Sequence, residues 1–117
     1  MSAYSSAVNE LNNALYEIIS VKGAVYISLH VASPGTIGSN EVLGSPYTRV
    51  NTTWGTLANG SVTGSQVTLS VPVTTIAFWG LWDAISGGNY YDGGPLPSSQ
   101  TYASPGTYLL TPTLTAS

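Results

Sequence analysis

The chain has 117 residues and a formal net charge of −3, and only 6% of its residues are Asp, Glu, Lys or Arg, against about 25% in an ordinary soluble domain. Its two basic residues, Lys22 and Arg49, are too few to neutralise a run of phosphates or to hold an anionic membrane surface, which argues against nucleic-acid and membrane partners. With no Cys, disulfides, thiolate chemistry and Cys-ligated metal are excluded.

The length sets the expectation of a single domain over residues 1–117, and 43% hydrophobic content supports an ordered core. A surface made polar by Ser, Thr, Asn and Gly instead of charge repels its neighbours weakly and is cheap to desolvate when covered. That surface suits a protein living in an assembly. No apolar run approaches the ~20 residues of a transmembrane helix. The N-terminus shows neither a basic segment nor an apolar one of signal-peptide type.

Ser2 to Ser20 reads as one amphipathic helix, within a helical segment 2–21. Tyr4, Val8, Leu11, Leu15, Ile18 and Ile19 form a single apolar stripe. Ser2 or Ser5 would cap its start, and Gly23 is suited to the C′ position that ends it. Segment 24–117 reads as β. Val25, Ile27, Leu29 and Val31 alternate with Tyr26, Ser28 and His30, the pattern of a half-buried strand with His30 on its polar, exposed face. Residues 32–46 form a long loop of turn chemistry, expected to be functional or ordered by a partner. Tyr47 to Trp54 is the next strand, and Asn59-Gly60 marks a hairpin turn.

Val67 to Val71 is a further strand. Ile76 to Asp83 then carries the only Phe and two of the three Trp. As a strand it places Ile76, Phe78 and Gly80 on one side and Ala77, Trp79, Leu81 and Asp83 on the other. Both faces are apolar, so it reads as the buried centre of the fold, with Gly80 making room for a neighbour or marking a bulge. Residues 86–89 and 92–95 read as turns, with a short Tyr90-Tyr91 strand or edge between them. Gln100 to Ala103, Thr107 to Leu110 and Thr113 to Thr115 are the last strands, with Pro112 at an edge or bulge. Short strands with regular turn signals point to a mainly β fold, an antiparallel β-sandwich of immunoglobulin-like or jelly-roll-like type with one N-terminal amphipathic helix.

Catalytic chemistry finds little support. The single His30 has neither a triad nor a metal set around it. Asp83 and Asp92 flank one turn region and read as Asx-turn residues, not as a glycosidase pair or a calcium site. The sequons at Asn51 and Asn59 read as coincidence in an Asn/Thr-rich chain. Trp79 and Trp82 read as core. Trp54, Tyr90 and Tyr91, beside turns, read as surface aromatics fit for an interface or a sugar platform. No cofactor or metal is expected.

Tyr26-Ile27-Ser28-Leu29-His30-Val31-Ala32-Ser33-Pro34-Gly35-Thr36-Ile37-Gly38-Ser39-Asn40-Glu41-Val42 resembles the signature of a family of small virion proteins frequent in tailed phages of actinobacteria. Tyr47-Thr48-Arg49, Thr53-Trp54-Gly55, Ala58-Asn59-Gly60, Phe78 to Ala84 and Pro105-Gly106-Thr107-Tyr108 continue it in order. Val31 and Ser33 stand where the family often has Thr and Asp. The resemblance covers residues 24 to 115 and implies a non-enzymatic virion protein, labelled in that family either tail fibre or capsid decoration. The expectation is a capsid decoration protein on the outer head surface, a homo-oligomer (a trimer, from lattice symmetry) bound to the major capsid protein lattice. A tail or tail-fibre component is the alternative, and a carbohydrate-binding module a further one. The expected partner contacts are Pro34, Gly35, Asn40, Glu41, Val42, Trp54, Tyr90 and Tyr91.

Overall fold

In the computed structural model, which describes residues 3–116 with side chains from residue 10 onward, a helix is followed by eight strands, all paired antiparallel. Helix α1 spans Ala3–Tyr16 and continues as a wider π-helical turn, Glu17–Val21. Leu15 and Ile19 are buried one turn apart, and Leu11 and Ile18 are half-buried beside them, which is the expected stripe; Tyr4, Val8 and the Ser5 side chain lie outside the described side chains, and Ser2 outside the described residues. The Lys22 N–H donates to the Glu17 carbonyl at 2.9 Å and the Ala24 N–H to the Ile18 carbonyl at 3.0 Å. Gly23 closes the helix at φ 70°, a left-handed conformation that Gly adopts without steric cost. The helix packs on its own chain. The Gly60 N–H donates to Asn12 Oδ1 at 2.8 Å, and Leu15 and Ile19 join the core.

The strands are β1 Tyr26–His30, β2 Val50–Asn51, β3 Ser61–Thr63, β4 Val67–Val71, β5 Thr74–Trp82, β6 Tyr90–Tyr102, β7 Gly106–Leu110 and β8 Thr113–Thr115. One sheet has the order β2-β1-β5-β6, and β3-β8 and β4-β7 form two-stranded sheets. One hydrophobic cluster joins Ile27 and Leu29 of β1, Leu69 and Val71 of β4, Ile76 and Leu81 of β5, and Leu114 of β8, each under 2% exposed. The fold is mainly β and antiparallel with a single N-terminal helix, as the strand pattern predicts. The Asn59-Gly60 turn forms as expected. Ala58 and Ser61 exchange both backbone hydrogen bonds at 3.0 Å, with φ of 52° and 73° between them, the positive pair that a type I′ turn needs.

Four sequence expectations are corrected. Strand β1 is buried on both faces, with Ser28 and His30 at 0% exposure, because the chain after His30 folds back over that face. The 47–54 strand shrinks to Val50–Asn51, because the Tyr47 N–H closes a turn onto the Gly44 carbonyl at 3.1 Å and only Val50 and Asn51 pair with β1. The expected turn at 92–95 is part of β6, where Asp92, Gly93, Gly94 and Pro95 pair with Leu81, Gly80, Trp79 and Phe78. Pro95 and Pro97 are tolerated because β6 is an edge strand, where a missing N–H faces outward. Finally, Ile76 and Phe78 do not share surroundings: Ile76 is in the core and Phe78 lines a surface groove. An irregularity separates them, since their partners Gln100 and Pro95 are five residues apart. The excess folds Leu96 inward at 6% exposure.

Candidate functional site

The sole arginine and the sole histidine of the chain meet in one buried cluster. Arg49 is 6% exposed. Its Nε and Nη2 donate to Oε2 and Oε1 of Glu41, both at 2.9 Å. Its Nη1 donates to the carbonyls of Ala84 at 2.9 Å and Gly87 at 2.8 Å. The guanidinium carbon lies 3.7 Å from the Trp82 ring centroid, a cation–π contact. Arg49 thereby ties two stretches that are far apart in sequence: the 41–49 segment, and the end of β5 with the 84–87 turn that follows it. The Tyr47 hydroxyl donates to Glu41 Oε2 at 2.6 Å and accepts the Leu29 N–H at 3.1 Å. Burial, and then the bond to Glu41, push the Tyr47 phenol well above its ordinary pKa. Burial alone would raise the Glu41 carboxyl, but the bonds from Arg49 and Tyr47 outweigh it and hold the group below its usual value.

Beside this ion pair runs a chain of hydrogen bonds. Trp82 Nε1–H donates to Ser28 Oγ at 2.8 Å. Ser28 Oγ lies 2.7 Å from His30 Nε2, and His30 Nδ1 lies 2.7 Å from the Ser39 carbonyl. A carbonyl only accepts, so Nδ1 carries the proton, and Nε2 accepts from the Ser28 hydroxyl. Every polar atom is satisfied when His30 is neutral. A second proton would leave the Ser28 hydroxyl without an acceptor. His30 is therefore a structural residue and not the exposed one expected from strand alternation.

Burial holds the His30 pKa below 6.5, against a smaller opposite pull from the Ser39 carbonyl. The unfolded chain then takes up a proton first as pH falls below 6.5, so folded stability is complete above that pH and declines below it until the folded imidazole itself titrates. Glu41, with its pKa lowered from 4.5, adds a second loss at more acid pH. Urea midpoints measured at about pH 8 and about pH 5.5 are expected to fall with acidification. A His30→Gln variant should be less stable but flatter over the same interval, and an equally steep profile in that variant would remove His30 as the cause.

The 32–46 loop is held by its own chain. The Val31 N–H donates to the Asn40 carbonyl and the Val42 N–H to the Leu29 carbonyl, both at 2.9 Å, extending the β1 ladder past the His30–Glu41 bridge. Asn40 Nδ2 reaches back to the Ser33 carbonyl at 2.9 Å. Gly38, at φ 79°, leaves no space for a Cβ against the Trp82 ring. Of the expected contact residues, Pro34 and Val42 are buried, Glu41 belongs to the ion pair, and Gly35 and Asn40 are exposed. Trp54 is half-buried, with Nε1 donating to the Ala24 carbonyl at 2.8 Å, and stands apart from the others.

Pro34, Gly35, Tyr90 and Tyr91 do converge. They line a groove of about 460 Å³ between the 33–36 turn and the start of β6, together with Phe78 and Asp92–Pro95. Tyr90 joins groove and cluster. Its ring meets Trp82 edge-on at 5.3 Å and His30 at 6.4 Å, and burial followed by the charge of Asp92 pushes its phenol up to about 12. Asp83 is a turn residue, as expected, whereas Asp92 lies in strand β6 opposite Leu81. Asp83 accepts from the Asn89 N–H at 2.8 Å, Asn89 Nδ2 at 3.0 Å and the Tyr91 hydroxyl at 3.1 Å; Asp92 accepts the Gly93 N–H at 2.7 Å. Phe78, Asp92 and the Gly93-Gly94 pair are groove residues that strand alternation and turn chemistry do not point to. The Tyr-Tyr-Asp-Gly-Gly-Pro run at 90–95 was their signal, once recognised as a strand.

Among the described residues no His, Cys, Asp or Glu group is arranged to hold a metal, and no helix is long and apolar enough to cross a membrane. Residues 1–113 match the model of a family described as podophage GP4 fiber I protein gp80. No curated protein matches the chain.

Proposed function

The chain belongs to the podophage GP4 fiber I protein gp80 family, and from that membership we propose that it is a non-enzymatic component of a phage tail fibre, displayed on the virion. The family match carries this reading and favours the fibre over the capsid-decoration role. The structure supports it chemically. The only His and the only Arg serve the fold, and Glu41, Asp83 and Asp92 accept hydrogen bonds within loops, turns or strand starts.

In this reading copies of the chain associate with one another or with other virion proteins through surfaces of low charge. Leu43 at 88%, Ile37 at 76% and Ile85 at 57% exposure are the apolar side chains offered for such contacts, and Leu43 and Ile85 flank one depression beside Arg49. Deleting 32–46 would not test the loop as a contact, because that stretch contains Glu41 and the buried Pro34 and Val42.

Separating heads from tails of the phage and quantifying the chain in each by mass spectrometry tests the role. Enrichment with tails is the expected result. Copies confined to heads would restore the decoration reading, and absence from both fractions would overturn a virion role.

A further inference from the structure

The groove between the 33–36 turn and β6 has a lining whose chemistry selects a ligand class. Phe78, Tyr90 and Tyr91 supply aromatic surface, and Pro34 and Pro95 supply more apolar surface. Asp92 uses one carboxylate oxygen for the Gly93 N–H; no side chain among the described residues bonds the other. Gly93 and Gly94 bring bare backbone to the same groove, and Gly93 is fixed as glycine by the Trp79 carbonyl and the Tyr90 hydroxyl, which a Cβ would strike. Neither Lys22 nor Arg49 lines it. A volume of about 460 Å³ lies within the range of small-molecule sites.

We propose that this groove binds a neutral oligosaccharide. The C–H faces of pyranose rings pack on aromatic surface, and their adjacent hydroxyls donate to a carboxylate and exchange hydrogen bonds with exposed backbone. A phosphate or uronate would meet Asp92 with no cation to offset it, and an aliphatic lipid chain would leave the carboxylate and the backbone groups unpaired. The inference stands on the groove and does not depend on the fibre assignment: a tail location with no sugar binding, or sugar binding with a head location, are separately readable.

The test is a ¹H–¹⁵N chemical-shift titration of the full chain with maltohexaose, cellohexaose and chitohexaose, with sorbitol as an open-chain polyol. Saturable shifts at residues 33–36 and 90–95 with one or more of the ring sugars, and none with sorbitol, are expected. Asp92→Asn keeps an acceptor for the Gly93 N–H and should retain the fold while weakening binding about tenfold, which corresponds to about 1.4 kcal/mol. Leu109→Ala, at an exposed side chain of β7 outside the groove, should retain binding. No saturable shift with any of the three sugars overturns the proposal, as do equal shifts with sorbitol. Shifts at the same residues on concentrating the protein alone would make the groove a contact between copies and also overturn it.

Discussion

Replacing Arg49 by Ala is expected to cost about 3–5 kcal/mol, the penalty of leaving one partner of a buried ion pair without the other. At this chain length that corresponds to a fall in Tm of about 10–20 °C. Coulomb attraction is not the whole of the effect. Four of the five guanidinium N–H groups are committed, two to Glu41 and one bond each to Ala84 and Gly87. Their removal takes a donor from two carbonyls and leaves the Glu41 carboxylate with the Tyr47 hydroxyl alone, and it strips one face of Trp82 of its cation. Arg49→Lys should recover less than half, because an ammonium cannot present a planar fork to Glu41 and still reach both carbonyls. The paired variant Arg49→Met with Glu41→Leu should be more stable than Arg49→Ala, since it removes the uncompensated carboxylate as well. Chemical denaturation of the four proteins decides the matter. If Arg49→Ala costs under about 1 kcal/mol, the pair behaves as a surface salt bridge and the 41–49 and 84–87 segments are held by something else.

The same cluster explains why some of the molecule was legible in the sequence and some was not. What local chemistry decides could be read. The helix follows from the spacing of Leu11, Leu15, Ile18 and Ile19. The I′ turn follows from Asn59-Gly60, whose two residues tolerate positive φ regardless of what surrounds them. Strand β4 follows from strict alternation, with Val67, Leu69 and Val71 buried between exposed Thr68 and half-buried Ser70. What distant partners decide could not be read. Ser28 and His30 look like the wet side of a strand, because alternation registers polarity and not its satisfaction. Their partners, Trp82 and the Ser39 carbonyl, lie 54 and 9 residues away. Asp92-Gly93-Gly94-Pro95 carries turn residues, yet it is ladder-paired. Its glycine at 93 answers to the Trp79 carbonyl and the Tyr90 hydroxyl across the sheet, and its proline to a position on the open edge. The candidate groove shares that fate. Two of its walls are visible in the sequence as separate loop and aromatic features, Pro34-Gly35 and Tyr90-Tyr91, but nothing in their spacing shows that they face each other.

Gly80→Ala should cost about 3 kcal/mol through overpacking and broken buried hydrogen bonds. Gly80 lies opposite Ser28 on one neighbour and Gly93 on the other. A Cβ there would sit 2.6 Å from Ser28 Oγ, 2.8 Å from His30 Nε2 and 3.0 Å from Tyr90. None of these can retreat freely. Ser28 is fixed between Trp82 and His30, His30 is tied to Ser39, and Tyr90 is wedged against Trp82. The methyl must displace the hydrogen-bond chain that fastens the 31–40 segment over the sheet. Gly94→Ala provides the comparison. It lies on the same strand pair with ordinary φ, and its Cβ would lie 3.4 Å from Trp79 Nε1, so it should cost under about 1 kcal/mol. Beyond the urea midpoint, the Trp82 indole N–H and the His30 imidazole give NMR signals of their own. In Gly80→Ala both should shift away from their native positions, and in Gly94→Ala neither should. Native signals in a destabilised Gly80→Ala would mean that the strain is relieved by the backbone of β5. The Ser28–His30–Trp82 chain would then not be the element that makes glycine necessary at this position.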